Sequence, residues 1–232
     1  MKYTIIGDCD CPLVQIDLQQ NETVKIERGC MAFISNVYLE GRMNSSKKGF
    51  GGVLGAIGRS LTSGESMFMT QATGESNDSY IGIAPSIPGK IQCLKVGGDK
   101  QFRLNTGAFL ACDESVGYTM KKQNVGKALF GGTGGFFVME TQGEGDILVN
   151  AFGDLITLKI TPDHPITIDN EHVVAWDASL QYDIRVASGT FGFKTGEGLV
   201  NDFHGEGEVI IQTRNLHSLA DAVSPFLPTK GN

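Results

Sequence analysis

The sequence predicts an all-β protein made of three tandem small sandwich units with a short C-terminal helix. Three observations carry that prediction. A strand–turn–apolar pattern occurs three times, apolar residues within it recur at every second position, and glycine is abundant (31 residues) without long runs at helical spacing. Internal recurrence on this scale is the mark of repeated supersecondary units.

The first copy runs Val24-Lys25-Ile26-Glu27-Arg28-Gly29 into Met31-Ala32-Phe33-Ile34. The second is Phe102-Arg103-Leu104-Asn105-Thr106-Gly107 into Phe109-Leu110-Ala111-Cys112, shifted by 78 positions. The third, shifted by a further 64, is Ile166-Thr167-Ile168-Asp169-Asn170-Glu171 into Val173-Val174-Ala175-Trp176. In each, apolar and polar residues alternate before the turn, which describes a strand with one wet face. The continuous apolar runs after the turn predict central strands buried on both faces.

A second marker follows each copy: Gly74-Glu75, Gly143-Glu144 and Gly205-Glu206. Strands are expected before it (66–70, 135–139, 199–203) and after it (80–83, 147–149, 209–211). Pro85 and Pro88, then Pro162 and Pro165, punctuate the chain where a ladder must stop. The expected units are therefore 1–88, 89–161 and 162–232. The tail Leu216-His217-Ser218-Leu219-Ala220-Asp221-Ala222-Val223 has helical spacing and is ended by Pro225, so one helix is expected to pack on the β body.

Composition narrows the function. Apolar residues at 41% and charged residues at 19% describe a folded globular chain. No segment has the ~20 apolar residues of a bilayer span, and the N-terminus lacks a secretory signal, so a cytoplasmic location is expected. Five cysteines are too few for a disulfide framework. The net charge of −7 is divided as −2, +1 and −6 among the three units. An acidic third unit repels polyanions, so nucleic acid is not an expected partner.

Few residues suggest chemistry. The Gly-rich stretch around Lys47, Lys48, Phe50, Leu54 and Arg59, with its shorter relative at Phe130, is a candidate interaction loop. Glycine there lets backbones approach, and the apolar residues suit a subunit, partner or membrane-surface contact better than a phosphate. Glu75, Glu144 and Glu206 are candidate ring carboxylates if the units close into a circle, although a solvent-facing turn explains their recurrence equally simply. Cys9 and Cys11 read as small core residues, and His164 and His172 as turn or core histidines. The cysteine pair lacks the additional ligands that a closed metal site needs, whereas His164 and His172 have Asp163 and Asp169 nearby, which keeps a metal site there as the lesser alternative. No catalytic motif is visible, and no cofactor or metal is expected.

The three copies, the Gly-rich loop with basic flanks and the closing Pro225-Phe226-Leu227-Pro228 together resemble the uncharacterised family whose fungal members are named for altered inheritance of mitochondria. That family is similar in architecture to the tryptophan RNA-binding attenuation protein, whose small β-sandwich domains close into a ring. The resemblance implies three such domains fused in one chain and a homotrimeric ring of nine. It implies no activity. The acidic Glu75, Glu144 and Glu206 replace the basic rim with which the attenuation protein grips RNA. The expected function is a non-enzymatic ring-forming scaffold or binding protein. The alternatives are a ring docking to membranes or proteins through the apolar loops, or a metal-dependent enzyme.

Overall fold

Alternate residues turn inward along the early strands, and that periodicity builds the sheets. β2 (Leu13–Leu18) and β3 (Thr23–Glu27) bury every second side chain, as does β9 (Phe102–Leu104). The computed structural model describes residues 1–7, 10–43, 68–105, 107–123, 137–187 and 198–227, with Arg42, Met43, Phe68 and Lys122 described by their backbone alone. The described residues are mostly β-strand in several antiparallel sheets, with one short C-terminal α-helix, and the all-β class is the one the sequence predicts.

The remaining strands in chain order are β1 (Lys2–Ile6), β4 (Met31–Ser35), β5 (Val37–Met43), β6 (Phe68–Gly74), β7 (Ser79–Ile83), β8 (Ile91–Val96), β10 (Phe109–Asp113), β11 (Val116–Lys122), β12 (Phe137–Gly143), β13 (Gly145–Asn150), β14 (Leu155–Ile160), β15 (Ile166–Asp169), β16 (Val173–Asp177), β17 (Gln181–Val186), β18 (Leu199–His204) and β19 (Gly207–Gln212). Helix α1 (Leu216–Val223) follows.

All strand pairs within the sheets are antiparallel. The first sheet has the order β1-β2-β7-β4, the second β5-β6-β3-β10-β13-β8, the third β11-β12-β9-β16-β19-β14, and the fourth β15-β18-β17. One local geometry recurs in three of them. β4 meets β7, β10 meets β13 and β16 meets β19, each with a register shift at its second residue: between Met31 and Phe33, Phe109 and Ala111, Val173 and Ala175. A bulge at a fixed place bends the strand and sharpens its twist.

The turn before that strand is made in two ways. Gly29 and Gly107 take the left-handed conformation at φ +82° and +88°, which costs glycine nothing sterically. The third copy carries Glu171 there and solves the turn with a 3-10 helix, Asn170–His172, capped by the Asp169 carboxylate accepting from the Glu171 N–H at 2.9 Å.

The core lies between facing sheets in three clusters. The first joins Val14, Ile16, Leu18, Val24 and Ile26 to Leu110 and Leu148. The second gathers Phe102, Leu104, Phe109, Val149 and Val174. The third is built on Trp176, Phe203, Ile168 and Val209, with the Trp176 and Phe203 rings meeting edge to face.

Three expectations need correction. The apolar run 31–34 is not doubly buried: every side chain from Met31 to Ile34 is exposed, whereas the corresponding runs in β10 and β16 are buried throughout. The reason is pairing. β10 lies between β3 and β13, and β16 between β9 and β19, but β4 ends its sheet. Helix α1 does not pack on the β body, since none of its residues is buried. Cys11 is exposed and fills no core.

Candidate functional site

Two half-built ladders are the most distinctive surface of the molecule. At each internal seam an edge strand joins the bulged strand further along the chain: β3 pairs β10, and β9 pairs β16. Ala111 stands opposite Ile26, Cys112 opposite Lys25 and Asp113 opposite Val24. In the next seam Ala175 stands opposite Leu104, Trp176 opposite Arg103 and Asp177 opposite Phe102. The two registers are identical once the 78- and 64-residue shifts are applied. β4 and β15 are the corresponding strands left without such a partner, at opposite ends of the strand order.

Both seams are reinforced alike by a cation. Lys25 Nζ donates to the carbonyls of Glu114 (2.8 Å) and Val116 (2.9 Å) in the turn beyond β10. Arg103 Nε donates to Glu140 at 2.7 Å, and its Nη1 to the Leu180 carbonyl at 3.3 Å. Asp113 Oδ2 accepts the Asp146 N–H at 2.6 Å, and Asp177 Oδ2 the Glu208 N–H at 2.9 Å. These charge-assisted bonds fix the register as well as adding energy. At β15 the same place holds Thr167, whose hydroxyl donates to Asp202.

Exposed apolar side chains show the same polarity. Among the described residues, the large exposed hydrophobics before β8 are Ile5, Ile6, Met31, Phe33, Ile34, Tyr38 and Tyr80, and those after β13 are Ile156, Leu216, Leu219, Val223, Phe226 and Leu227. The described residues between 84 and 150 contribute none.

Two clefts among the described residues have room for a small ligand. One, of about 250 Å³, lies where the β9–β10 and β15–β16 turns meet the ends of β13 and β19, and is lined by Glu27, Asn105, Asn150, Glu171 and Gln212 among others. Most of its donors are committed: Asn105 Nδ2 donates to the carbonyls of Asn170 and Val173, and Gln212 Nε2 to that of Glu171. Burial pushes the Glu27 carboxyl up from its ordinary range. The other, of about 410 Å³, is polar and lined by Arg103, Lys121, Glu140, Tyr182 and Asp183, with Arg103 and Lys121 both held by Glu140.

The residues singled out from the sequence are dispersed. Glu75, Glu144 and Glu206 stand exposed in the β6–β7, β12–β13 and β18–β19 turns. The structure thus places them at corresponding positions without bringing them together. Lys47, Lys48, Phe50, Leu54, Arg59, Phe130 and Cys9 lie outside the described residues. His164 is exposed, while His172 Nδ1 donates to the Gln212 carbonyl at 2.7 Å and its Nε2 accepts from Asn215 Nδ2 at 3.0 Å. Burial pushes the Cys30 and Cys112 thiols up to about 12, which keeps both protonated and unreactive. Among the described residues no three His, Cys, Asp or Glu side chains converge as a metal site, and no helix is long and apolar enough to cross a membrane.

The strands that sequence reasoning missed are the ones that complete these edges. β1 is absent from the repeated pattern, yet it covers β2 and sends the Met1 amino group to Asp113 at 2.7 Å. Its alternation is weak because four of its five residues are exposed.

Comparison with known proteins places this architecture. The uncharacterised protein M6_Spy0233 of Streptococcus pyogenes serotype M6 is 48% identical over 235 residues, spanning 100% of this chain and 93% of that protein. The crystal structure of protein SPYM3_0169 from Streptococcus pyogenes superposes with a TM-score of 0.80 at 43% identity, covering 97% of this chain and 99% of that one. The profile of the family described as mitochondrial biogenesis AIM24 matches residues 3–214, nearly the whole length. The chain therefore belongs to the AIM24 family, in which neither of these relatives has an assigned biochemical activity.

Proposed function

We propose that the protein is a non-enzymatic, ring-forming scaffold or binding protein. Three copies join head to tail, and each chain contributes three equivalent attenuation-protein-like units. One observation carries this reading: β4 and β15 are the two halves of a seam that the chain has already built twice, β3 with β10 and β9 with β16. Strand accounting favours unit seams at 84–90 and 151–154, where one set of pairings gives way to the next.

Applying the internal register gives the contact in detail. Ile168 of one copy stands opposite Phe33 of the next, Thr167 opposite Ile34, and Ile166 opposite Ser35. The contact is heterologous, so a rotation that closes makes a ring and one that does not makes a filament. Closure pairs β4 and β15, the two edges that the internal seams leave without their counterpart, and an unpaired edge is otherwise a site of uncontrolled association. The commitment of His172 and of the buried Cys30 and Cys112 to structure supports a binding role over a catalytic one.

The test is covalent trapping. Ile34→Cys with Thr167→Cys in one chain should give disulfide-linked oligomers ending at a closed trimer on a non-reducing gel, because paired strands hold Cα atoms within disulfide range. Each single variant should give no ladder. Absence of crosslinking under oxidation, together with a monomeric mass for the wild-type protein, would reject the ring.

A further inference from the structure

We infer that helix α1 is a clasp that seats on the next copy of the chain, at the end of that copy's first sheet. The inference rests on the head-to-tail reading above and adds to it an element outside the strand ladder.

The helix has an unpartnered apolar face. Leu216, Leu219 and Val223 recur at helical spacing and are 53%, 45% and 40% exposed, and Phe226 just beyond them is 85% exposed. Yet its start is firmly held. Asn215 Oδ1 caps it by accepting from the Ser218 N–H at 2.7 Å, Asn215 Nδ2 donates to His172, and His217 Nδ1 bonds Glu171. A helix with a fixed base and an uncovered apolar face presents that face in one direction, toward something outside its own chain.

The succession of exit segments says which way. After β7 the chain leaves through residues 84–90, after β13 through 151–154, and after β19 through 213–215. Each exit bonds to the one before it. Lys90 N–H donates to the Gly153 carbonyl at 2.8 Å, and Gly153 N–H to that of Pro88 at 3.0 Å. Thr213 N–H then donates to the Asp154 carbonyl at 3.0 Å, and Arg214 N–H to that of Phe152 at 3.2 Å. Carried one step further around a ring, the third exit lies beside residues 84–90 of the next copy. In the second seam a strand, β14, continues from this point to pair with β19. In the ring the corresponding place beside β7 of the next copy is already held by that copy's β2, so the chain turns aside as a helix.

The receiving end is apolar and exposed. Ile6 pairs with Leu13 and Met31 with Ile83, so both sit at the end of the first sheet from which residue 84 departs. Ile5, Ile6 and Met31 are 42%, 43% and 45% exposed. The Ala84 N–H donates to the Cys30 carbonyl at 2.8 Å, which ties that exit to the start of β4. Apolar surface on the helix thus meets apolar surface on the sheet end, where the seam register brings them together.

The experiment dilutes the full-length protein and follows its mass by native mass spectrometry and sedimentation. Leu219→Gln with Val223→Gln keeps helix propensity while removing the apolar face. It should raise the concentration of half-dissociation about tenfold or more, since each lost side-chain burial is worth at least that factor. Ile6→Gln with Met31→Gln should do the same from the other side, and combining the two sets should add little. An unchanged dissociation midpoint in an intact wild-type-like ring, or full additivity of the two sets, would overturn the clasp and leave the ring standing. A wild-type protein that is monomeric and does not crosslink would overturn both.

Discussion

Phe33 stands opposite Gly82, whereas the corresponding pairs are Ala111 with Leu148 and Ala175 with Ile210. Large and small have exchanged places across one ladder. A Cβ at Gly82 would lie 2.3 Å from the Phe33 ring, so the ring fills the space a side chain would take. Gly82→Ala should destabilise by about 1–3 kcal/mol through overpacking, and Gly82→Leu combined with Phe33→Ala should recover stability by rebuilding the other pairs. Chemical denaturation of the four proteins in the cycle measures the coupling, and simple additivity would contradict the exchange. Asp202 is a second residue with a defined job. It accepts from Thr167 on β15 and from Arg185 on β17, tying the fourth sheet together from its central strand. The Arg185 guanidinium holds its carboxyl below the ordinary value of 3.8. The stability this group contributes is therefore present above the ordinary carboxylate range and is lost as pH falls through the lowered value. Asp202→Asn should cost up to about 1 kcal/mol at pH 7, because the pair is partly exposed, and the difference should vanish on acid titration below that lowered value. A penalty that persisted at low pH would assign the effect to packing.

At the scale of the element, one pattern gives two environments. Met31 opens β4 and Phe109 opens β10 at corresponding positions, yet Met31 is 45% exposed and Phe109 is 3% exposed. Phe109→Asp should abolish soluble folding, because it buries an unpaired charge within the second core cluster. Met31→Asp should leave circular dichroism unchanged and weaken self-association instead. Unfolding of both variants would show that β4 is core within the single chain. The sequence made the alternating strands and the Gly-Glu turns legible because each is local: a period of two and a glycine turn follow from neighbouring residues. β1 and the strands that open the later sets, β8 and β14, were not legible. β8 and β14 alternate imperfectly, with burial decided by which face a later strand covers. The candidate carboxylates illustrate the same limit: turn chemistry is local and accounts for the recurrence of Glu75, Glu144 and Glu206, whereas a shared carboxylate ring would depend on how copies assemble.

For the whole molecule, the distribution of unfinished surface decides how stability should behave. If the copies form the proposed ring, a chain whose large exposed hydrophobics, among the described residues, lie before residue 84 and after residue 150 gains from binding its own kind. Mass action then makes the melting temperature rise with protein concentration, as it does for any folded state stabilised by a partner. Differential scanning fluorimetry across a hundredfold range of concentration should show that rise, and the Met31→Asp variant should flatten it. A wild-type transition independent of concentration would point to a self-contained monomer.

By itself the sequence determined the fold class, the recurrence of the strand–turn pattern at 24–34, 102–112 and 166–176, and the short C-terminal helix. Each of these is written in short-range periodicity and turn chemistry. Only the tertiary structure decided which of the three apolar runs are buried. That depends on whether an edge strand from elsewhere in the chain arrives beside it, as β3 does for β10 and β9 does for β16. Among the described residues no strand arrives on the side of β4 away from β7, and burial is a property of the partner and not of the strand.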